Sequence, residues 1–448
     1  MKKFLSLVLI FLFLSSCTRE RFPFFKPLPP ASKSFTDGLT LLTLEDRELP
    51  TAQLHLLIRG GSVYDPPGKE GLSSVAMQAI RMGGTVNRPP HEIDDLLEFS
   101  GATLEMGSNS EYFWVEVSSL KPDLNRVLDL LFDLLRQPAL KSERFESVRA
   151  RAKEALVRDM EDPLKLAYRE FPAAVVGRKS PWGRTPTLSS LDRITLQDVR
   201  EFHRKFFAPD RILIAAAGDF SAEEIFEKIG SRIQEWPASR QPLPEIPPLE
   251  ETYEKGLVVI PKKNLTQTTI LMGHLGSKRD NPDKFPLIVL NFILGGSGAL
   301  TSRLGEEIRT EAGKAYSVWS DFGFGKDFGL FRMVAQTKSS NTDWVIQKMK
   351  EILTRLTRDP QFSRKELDRA KKALLWSLFF DFESRFQQVK QQTIFRLWGY
   401  PENYLETFQQ KIAQVTEKDL ERVAKKYLHP DGLKTLLILD EKEAKRIP

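Results

Sequence analysis

The chain has 448 residues, 41% of them hydrophobic and 28% charged, which suits two domains of about 200 residues each and excludes a wholly disordered chain or a multispanning membrane protein. Its net charge of +6 arises from 66 basic residues interspersed with 60 acidic ones. With no long basic run, no zinc-knuckle spacing and no GxxxxGK[ST] loop, that balance describes a mixed solvated surface and argues against nucleic-acid or nucleotide binding.

At the start, Lys2 and Lys3 precede the apolar run Phe4 to Leu14, too short to span a bilayer but suited to a signal-peptide core. Leu14-Ser15-Ser16-Cys17 follows directly and resembles a bacterial lipobox. That resemblance implies that residues 1–17 carry the export signal and that Cys17 is lipidated, anchoring the protein to a membrane. Cys17 is the only cysteine, so the exported protein has no internal disulfide to rely on. Thr18 rather than Asp follows it, and by resemblance to lipoprotein sorting the expected location is the outer membrane, facing the periplasm. Residues 18–35, with Pro23, Pro27, Pro29 and Pro30, read as a semi-rigid tether.

The remainder reads as one unit written twice, 36–236 and 253–448. "ITLQDVREFHRKFFAPD" at Ile194 resembles "VTEKDLERVAKKYLHPD" at Val415, an offset of 221. "RAKEAL" at Arg151 resembles "RAKKAL" at Arg369, an offset of 218, and "GLTLLTL" at Gly38 stands 218 before "GLVVIPK" at Gly256. Ordered matches at a nearly constant offset indicate a duplicated domain. The proline-rich stretch 237–252 is the linker between the copies. In each half, strand-like runs come first (Thr51 to Arg59, Tyr112 to Ser118; Thr268 to His274, Gly329 to Ala335), long helices follow, and one strand closes the unit (Ile212 to Ala217; Thr435 to Leu439). Segregated strands and helices predict an α+β fold, each domain a mainly antiparallel sheet with helices on one face.

In the first half, "GLSSVAMQAIRMGGT" from Gly71 has the spacing of a buried helix, with Leu72, Val75, Ala76, Ala79 and Ile80 on its apolar face and Ser74, Met77 and Gln78 on the other. In the second half, Gly295, Gly296 and Gly298 form a short flexible loop before "TSRLGEEIRTEAGKAYSV". Ser118 and Lys121 match S-x-x-K, but without its companion motifs the match is chance.

In this order the motifs resemble the pitrilysin/insulinase type of zinc metallopeptidase, most closely the two-domain subunits of the mitochondrial processing peptidases and their bacterial relatives. "LEFSGATLEMGSNSEYFWVEV", "APDRILIAAAGDF" and "LGGSGALTSRLGEEIRTEAGKAYSV" carry the resemblance together with the helix above. In active members that helix bears H-x-x-E-H, and a later glutamate completes a site in which zinc activates water and the motif glutamate acts as base. Here the histidine positions hold Ser74 and Gln78, the base position Met77, and the distal position Ala155. Glu154 is adjacent, but neighbours on a helix point about 100° apart. His55, His91, His203, His274 and His429 show no ligand spacing.

What is retained is Arg309 and Tyr316, seven residues apart, which match the R/Y pair that the family aims across the cleft at substrate. The resemblance therefore implies a subunit with no cofactor of its own, zinc being held by an H-x-x-E-H partner of the same family. Arg309 and Tyr316 would bind and position peptide substrates in the chamber of the heterodimer, with the Gly295, Gly296 and Gly298 loop as a further substrate contact. The alternative is a non-enzymatic peptide-binding or scaffold lipoprotein of the cell envelope.

Overall fold

The computed structural model describes residues 24–446 apart from 235, 240 and 250–252. The expected signal peptide and Cys17 lie outside the described residues. Among those described, no helix is long and apolar enough to cross a membrane.

Two sheets of the same topology organise the chain. The first contains β1 (Ala31–Ser34), β2 (Thr40–Glu45), β3 (Thr51–Arg59), β4 (Thr103–Ser108), β5 (Tyr112–Leu120) and β6 (Ile212–Gly218), in the order β1-β2-β6-β3-β5-β4. The second is built from β7 (Gly256–Lys262), β8 (Gln267–Leu275), β10 (Ala315–Phe322), β12 (Leu330–Lys338) and β13 (Lys434–Asp440), ordered β10-β12-β8-β13-β7. A two-residue pair, β9 (Ser277–Lys278) with β11 (Phe324–Gly325), lies apart. In both main sheets the last strand of the repeat inserts between two earlier ones, β6 between β2 and β3 and β13 between β7 and β8, parallel to the first of each pair and antiparallel to the second. That insertion explains why β6 reads as an unbroken apolar run, ILIAAAG: all seven of its residues are buried, since a central strand covered on both faces has no polar side to show.

Each sheet packs its own helices on one face. In the first half, Phe113, Val115 and Val117 alternate along β5 toward the Leu72–Met82, Leu124–Arg136 and Leu196–Phe206 helices. In the second, Met333 and Ala335 face the Lys284–Leu294 and Thr342–Arg358 helices. The opposite faces are closed by an exchange. The Pro163–Val176 helix of the first half lays Leu166, Ala167, Phe171 and Val175 on Leu271, Leu275, Val334, Leu436 and Ile438 of the second sheet. The Arg385–Leu397 helix of the second half lays Phe386 and Val389 on Leu42, Leu44, Ala215 and Ala217 of the first sheet, and Ile394 on Leu57 and Leu213. Polar ties reinforce the seam: Arg279 pairs with Glu111, Lys390 Nζ lies 2.8 Å from Glu116, and Lys262 Nζ lies 2.8 Å from Glu161.

One expected boundary shifts. The first sheet begins at Ala31, inside the stretch read as tether, because β1 pairs antiparallel with β2. The described part of that stretch is docked rather than free. Gln409 accepts from the Phe25 amide (2.6 Å) and donates to its carbonyl (2.8 Å), while Gln388 and Gln392 do the same for Leu28 (3.0 and 3.1 Å). Prolines leave the neighbouring carbonyls and amides without ladder partners, and these glutamine amides satisfy them.

Candidate functional site

The helix Leu72–Met82 starts at Gly71, whose φ of 97° lies in the left-handed region that glycine tolerates. Its free amides are capped from outside: buried Asp65 accepts from Gly71 N (2.8 Å), Ser73 N (2.9 Å) and Ser73 Oγ (3.2 Å). Burial pushes the Asp65 carboxyl up to about 6, against the lowering effect of those donors. The helix packs on β4 and against the helices Ser142–Glu161 and Leu196–Phe206, so the element bearing Ala155 does lie beside the element bearing Ser74 and Gln78.

Chemically the four positions do not fit zinc. Ser74 is exposed, Gln78 donates its amide to the Met106 carbonyl at 2.9 Å, and Ala155 offers a methyl group. Met77, expected on the polar side of the helix, is fully buried in the first core. The correction has a simple cause: with β4 and two helices around it, this helix buries more than one stripe, and Ser73, Met77 and Ile80 share the second. Met77 is a packing residue of the first core. Glu154 beside Ala155 is exposed. Among the described residues, no three of His, Cys, Asp and Glu converge as metal donors.

Four of the histidines serve the fold, while His91 is exposed. Burial lowers His55 to about 4, and His203 Nε2 lies 2.8 Å from the Leu135 carbonyl. His274 and His429, 155 residues apart in sequence, meet: the His429 amide donates to His274 Nε2 at 3.1 Å, and His274 Nδ1 lies 2.6 Å from the Leu275 carbonyl. Sequence spacing gives no sign of this pair. Burial lowers His274 to about 4 as well, so it is a neutral strut. Lys121 is taken up by Asp219 at 3.1 Å, and the S-x-x-K match has no catalytic geometry.

Arg309 and Tyr316 are set differently. Arg309 lies in a π-helix, Gly305–Glu311, a rare form that recurs at functional sites. Ser302 begins it, its hydroxyl accepting from Gly305 N at 3.2 Å, and Lys314 N closes it on the Ile308 carbonyl at 2.9 Å. Arg303, bound to both oxygens of Glu366 at 2.9 and 3.0 Å, fixes its approach. Tyr316 lies on the edge strand β10 where the register with β12 slips between Ala315 and Ser317. Such a bulge re-aims a side chain, and Tyr316 stands 74% exposed. Neither the Arg309 nor the Tyr316 side chain has a hydrogen-bond or ion-pair partner among the described residues.

The Gly295, Gly296 and Gly298 loop is not flexible as the sequence suggests. Gly296–Gly298 forms a 3-10 turn held against β10, with Ser320 N donating to the Gly295 carbonyl at 3.1 Å. A Cβ at Gly295 would stand 2.7 Å from both Ser320 N and a Leu304 methyl, so close approach is what requires glycine there. β10 is in turn tied to the first half, Trp319 Nε1 donating to the Tyr168 hydroxyl at 3.0 Å. The exchanged helix thereby sets the height of the strand that carries Tyr316. No hydrogen bond joins this site to the Leu72–Met82 helix among the described residues; the two belong to separate cores.

Two family models match the chain: "Insulinase (Peptidase family M16)" over residues 40–174 and "Peptidase M16 inactive domain" over residues 193–374. The "Non-peptidase homolog YmxG" of Helicobacter pylori is 23% identical over 409 residues, 90% of this chain and 92% of that protein. The "Uncharacterized zinc protease YmxG" of Bacillus subtilis is 24% identical over 352 residues, 78% of this chain and 83% of that one. Among solved structures, a peptidase M16 inactive domain from Pseudomonas fluorescens superposes with a TM-score of 0.81 at 24% identity, over 92% of this chain and 98% of that one.

Proposed function

The chain belongs to the insulinase family of peptidases, family M16, as an inactive homologue, and from that premise we propose that it is the zinc-free subunit of a heterodimeric metallopeptidase. In this reading an H-x-x-E-H partner supplies zinc and the general base, while Arg309 and Tyr316 hold the peptide. The supporting observation is their placement: two side chains without partners among the described residues, each at a local irregularity of the backbone, in a chain whose other half carries chemically blank zinc positions. A guanidinium and a phenol can donate to a substrate carbonyl and to the oxyanion formed when water attacks it. The Gly295 to Gly298 turn is proposed as a further contact for the same peptide. Lipidated Cys17 would hold the complex at the outer membrane, facing the periplasm.

The deciding experiment is affinity capture of the full chain from native membranes in mild detergent, followed by peptidase assay of the recovered complex. A stoichiometric H-x-x-E-H protein is expected, with kcat falling at least about 10²-fold on Arg309→Ala or Tyr316→Phe, the loss typical of an oxyanion donor. Unchanged activity in both variants would remove the R/Y assignment. Recovery of the chain with unrelated envelope proteins alone would make it a scaffold.

A further inference from the structure

A cavity of about 190 Å³ lies in the seam between the halves, and neither Arg309 nor Tyr316 lines it. Its walls come from both repeats. Arg59 ends β3 and Glu111 precedes β5, while Arg279 follows β9, and Lys326 and Asp327 follow β11. Trp182 enters from the loop after the Pro163–Val176 helix, and Trp398 from the end of the Arg385–Leu397 helix. The exchange of helices brings these parts together, since Trp398 belongs to the second half yet packs with Leu57 and Leu213 of the first sheet.

Part of the polar wall is satisfied internally. The Arg279 guanidinium pairs with Glu111 and stands 4.3 Å from the centre of the Trp398 ring, and Glu111 also accepts from Lys326 N at 2.9 Å. The remainder is rich in donors. The Arg59 and Lys326 side chains are exposed and have no hydrogen-bond or ion-pair partner among the described residues. Trp182 Nε1, Trp398 Nε1 and Arg279 Nε are buried and have no acceptor there either. Buried N–H groups without acceptors are uncommon and costly. Of the charged side chains in the wall, three are cations and two are carboxylates, so the cavity has a surplus of positive charge as well as of donors.

We propose that this cavity binds a small organic carboxylate with a flat apolar body. Arg59 takes the carboxylate, and the two indoles supply aromatic walls and further donors. A guanidinium meets a carboxylate through two parallel N–H bonds, and aromatic walls with a few placed donors are the usual make-up of a small-molecule site. The volume, about that of six waters, admits a molecule the size of benzoate. A free acid and the C-terminal residue of a peptide share this chemistry. The site stands apart from the R/Y pair and does not depend on the peptidase reading.

The probe is benzoate, titrated calorimetrically into the full chain, with benzamide as its uncharged counterpart. Benzoate is expected to bind in the millimolar range or tighter, as suits so few atoms, and benzamide at least about tenfold more weakly. Arg59→Gln, an exposed change outside the core, should weaken benzoate at least about tenfold, the worth of a hydrogen bond to a charged group. Asp327→Asn removes a like charge and should tighten it up to about fivefold. The tripeptide Ala-Ala-Phe, with a free or an amidated C-terminus, separates the two sources. Binding that needs the free carboxylate and is lost in Arg59→Gln assigns the cavity to a chain end; benzoate binding without it assigns a free acid. No benzoate binding, equal binding of benzamide, indifference to Arg59→Gln, or weaker binding in Asp327→Asn would overturn the proposal.

Discussion

Phe171→Ala tests the exchange of helices. Phe171 belongs to the first half by sequence, yet it is fully buried against the second sheet, between Leu271, Leu275, Leu330 and Leu436. Removing a buried phenylalanine side chain costs about 3–5 kcal/mol through lost transfer energy and the cavity left behind. Here that loss falls on the contact between the halves, because among the described residues the first half enters the cluster through the Pro163–Val176 helix alone. Urea unfolding of the full chain, followed by tryptophan fluorescence and by circular dichroism, is the assay. Phe113→Ala, in the first half's own core, is the reference. If the halves unfold as one unit, the two variants lose similar amounts, and Phe386→Ala adds independently, as distant sites do within about 0.5 kcal/mol. A Phe171→Ala penalty below about 1 kcal/mol beside a full penalty for Phe113→Ala would refute the exchange.

Asp65 makes stability fall with rising pH. Its folded value, about 6 against an ordinary 3.8, lies above the unfolded one, so the stabilising contribution of proton uptake is present below about pH 4 and lost as pH rises through 6. At about 1.4 kcal/mol per unit, wild type should lose about 2 kcal/mol relative to Asp65→Asn between pH 4 and 7, measured by urea unfolding at both ends. His274 acts in the opposite direction: with a folded value near 4 against 6.5, its contribution is present above pH 6.5 and lost as pH falls toward 4. Side-chain ¹⁵N shifts should find it neutral at pH 5.5; titration near 6.5 would contradict its burial as a strut. Gly295→Ala places a methyl against Ser320 N and Leu304, and overpacking of this kind costs about 1–3 kcal/mol. Faster amide exchange along β10 should accompany it, and an unchanged melting temperature would show that the turn is loose.

Much of the molecule could be read without coordinates. The strand runs from Thr51, Tyr112, Ile212 and Thr435 occupy β3, β5, β6 and β13 to within two residues, because alternation and unbroken apolar runs are local signals. The duplication is equally local, and apart from β1 the two sheets share one strand order. The loss of zinc chemistry at Ser74, Met77, Gln78 and Ala155 needs only residue types, since a hydroxyl, a thioether, an amide and a methyl cannot replace two imidazoles, a base and a carboxylate. The spacing of Arg309 and Tyr316 was also visible, but not the π-helix and bulge that present them, because those depend on how β10 meets β12 and the Gly295 turn.

Periodicity says that a residue is buried and not against what. The apolar stripes of the Pro163–Val176 and Arg385–Leu397 helices are plain in the sequence, while their crossing to the opposite sheets is not. The meeting of His274 with His429, the second buried stripe holding Met77, and the docking of Phe25 and Leu28 on Gln409 and Gln388 have the same character. The sequence by itself determined the elements, their repetition and the absent metal ligands, each a property of neighbouring residues. Which surfaces those elements close was decided by tertiary structure, because burial is settled by whatever the chain brings alongside.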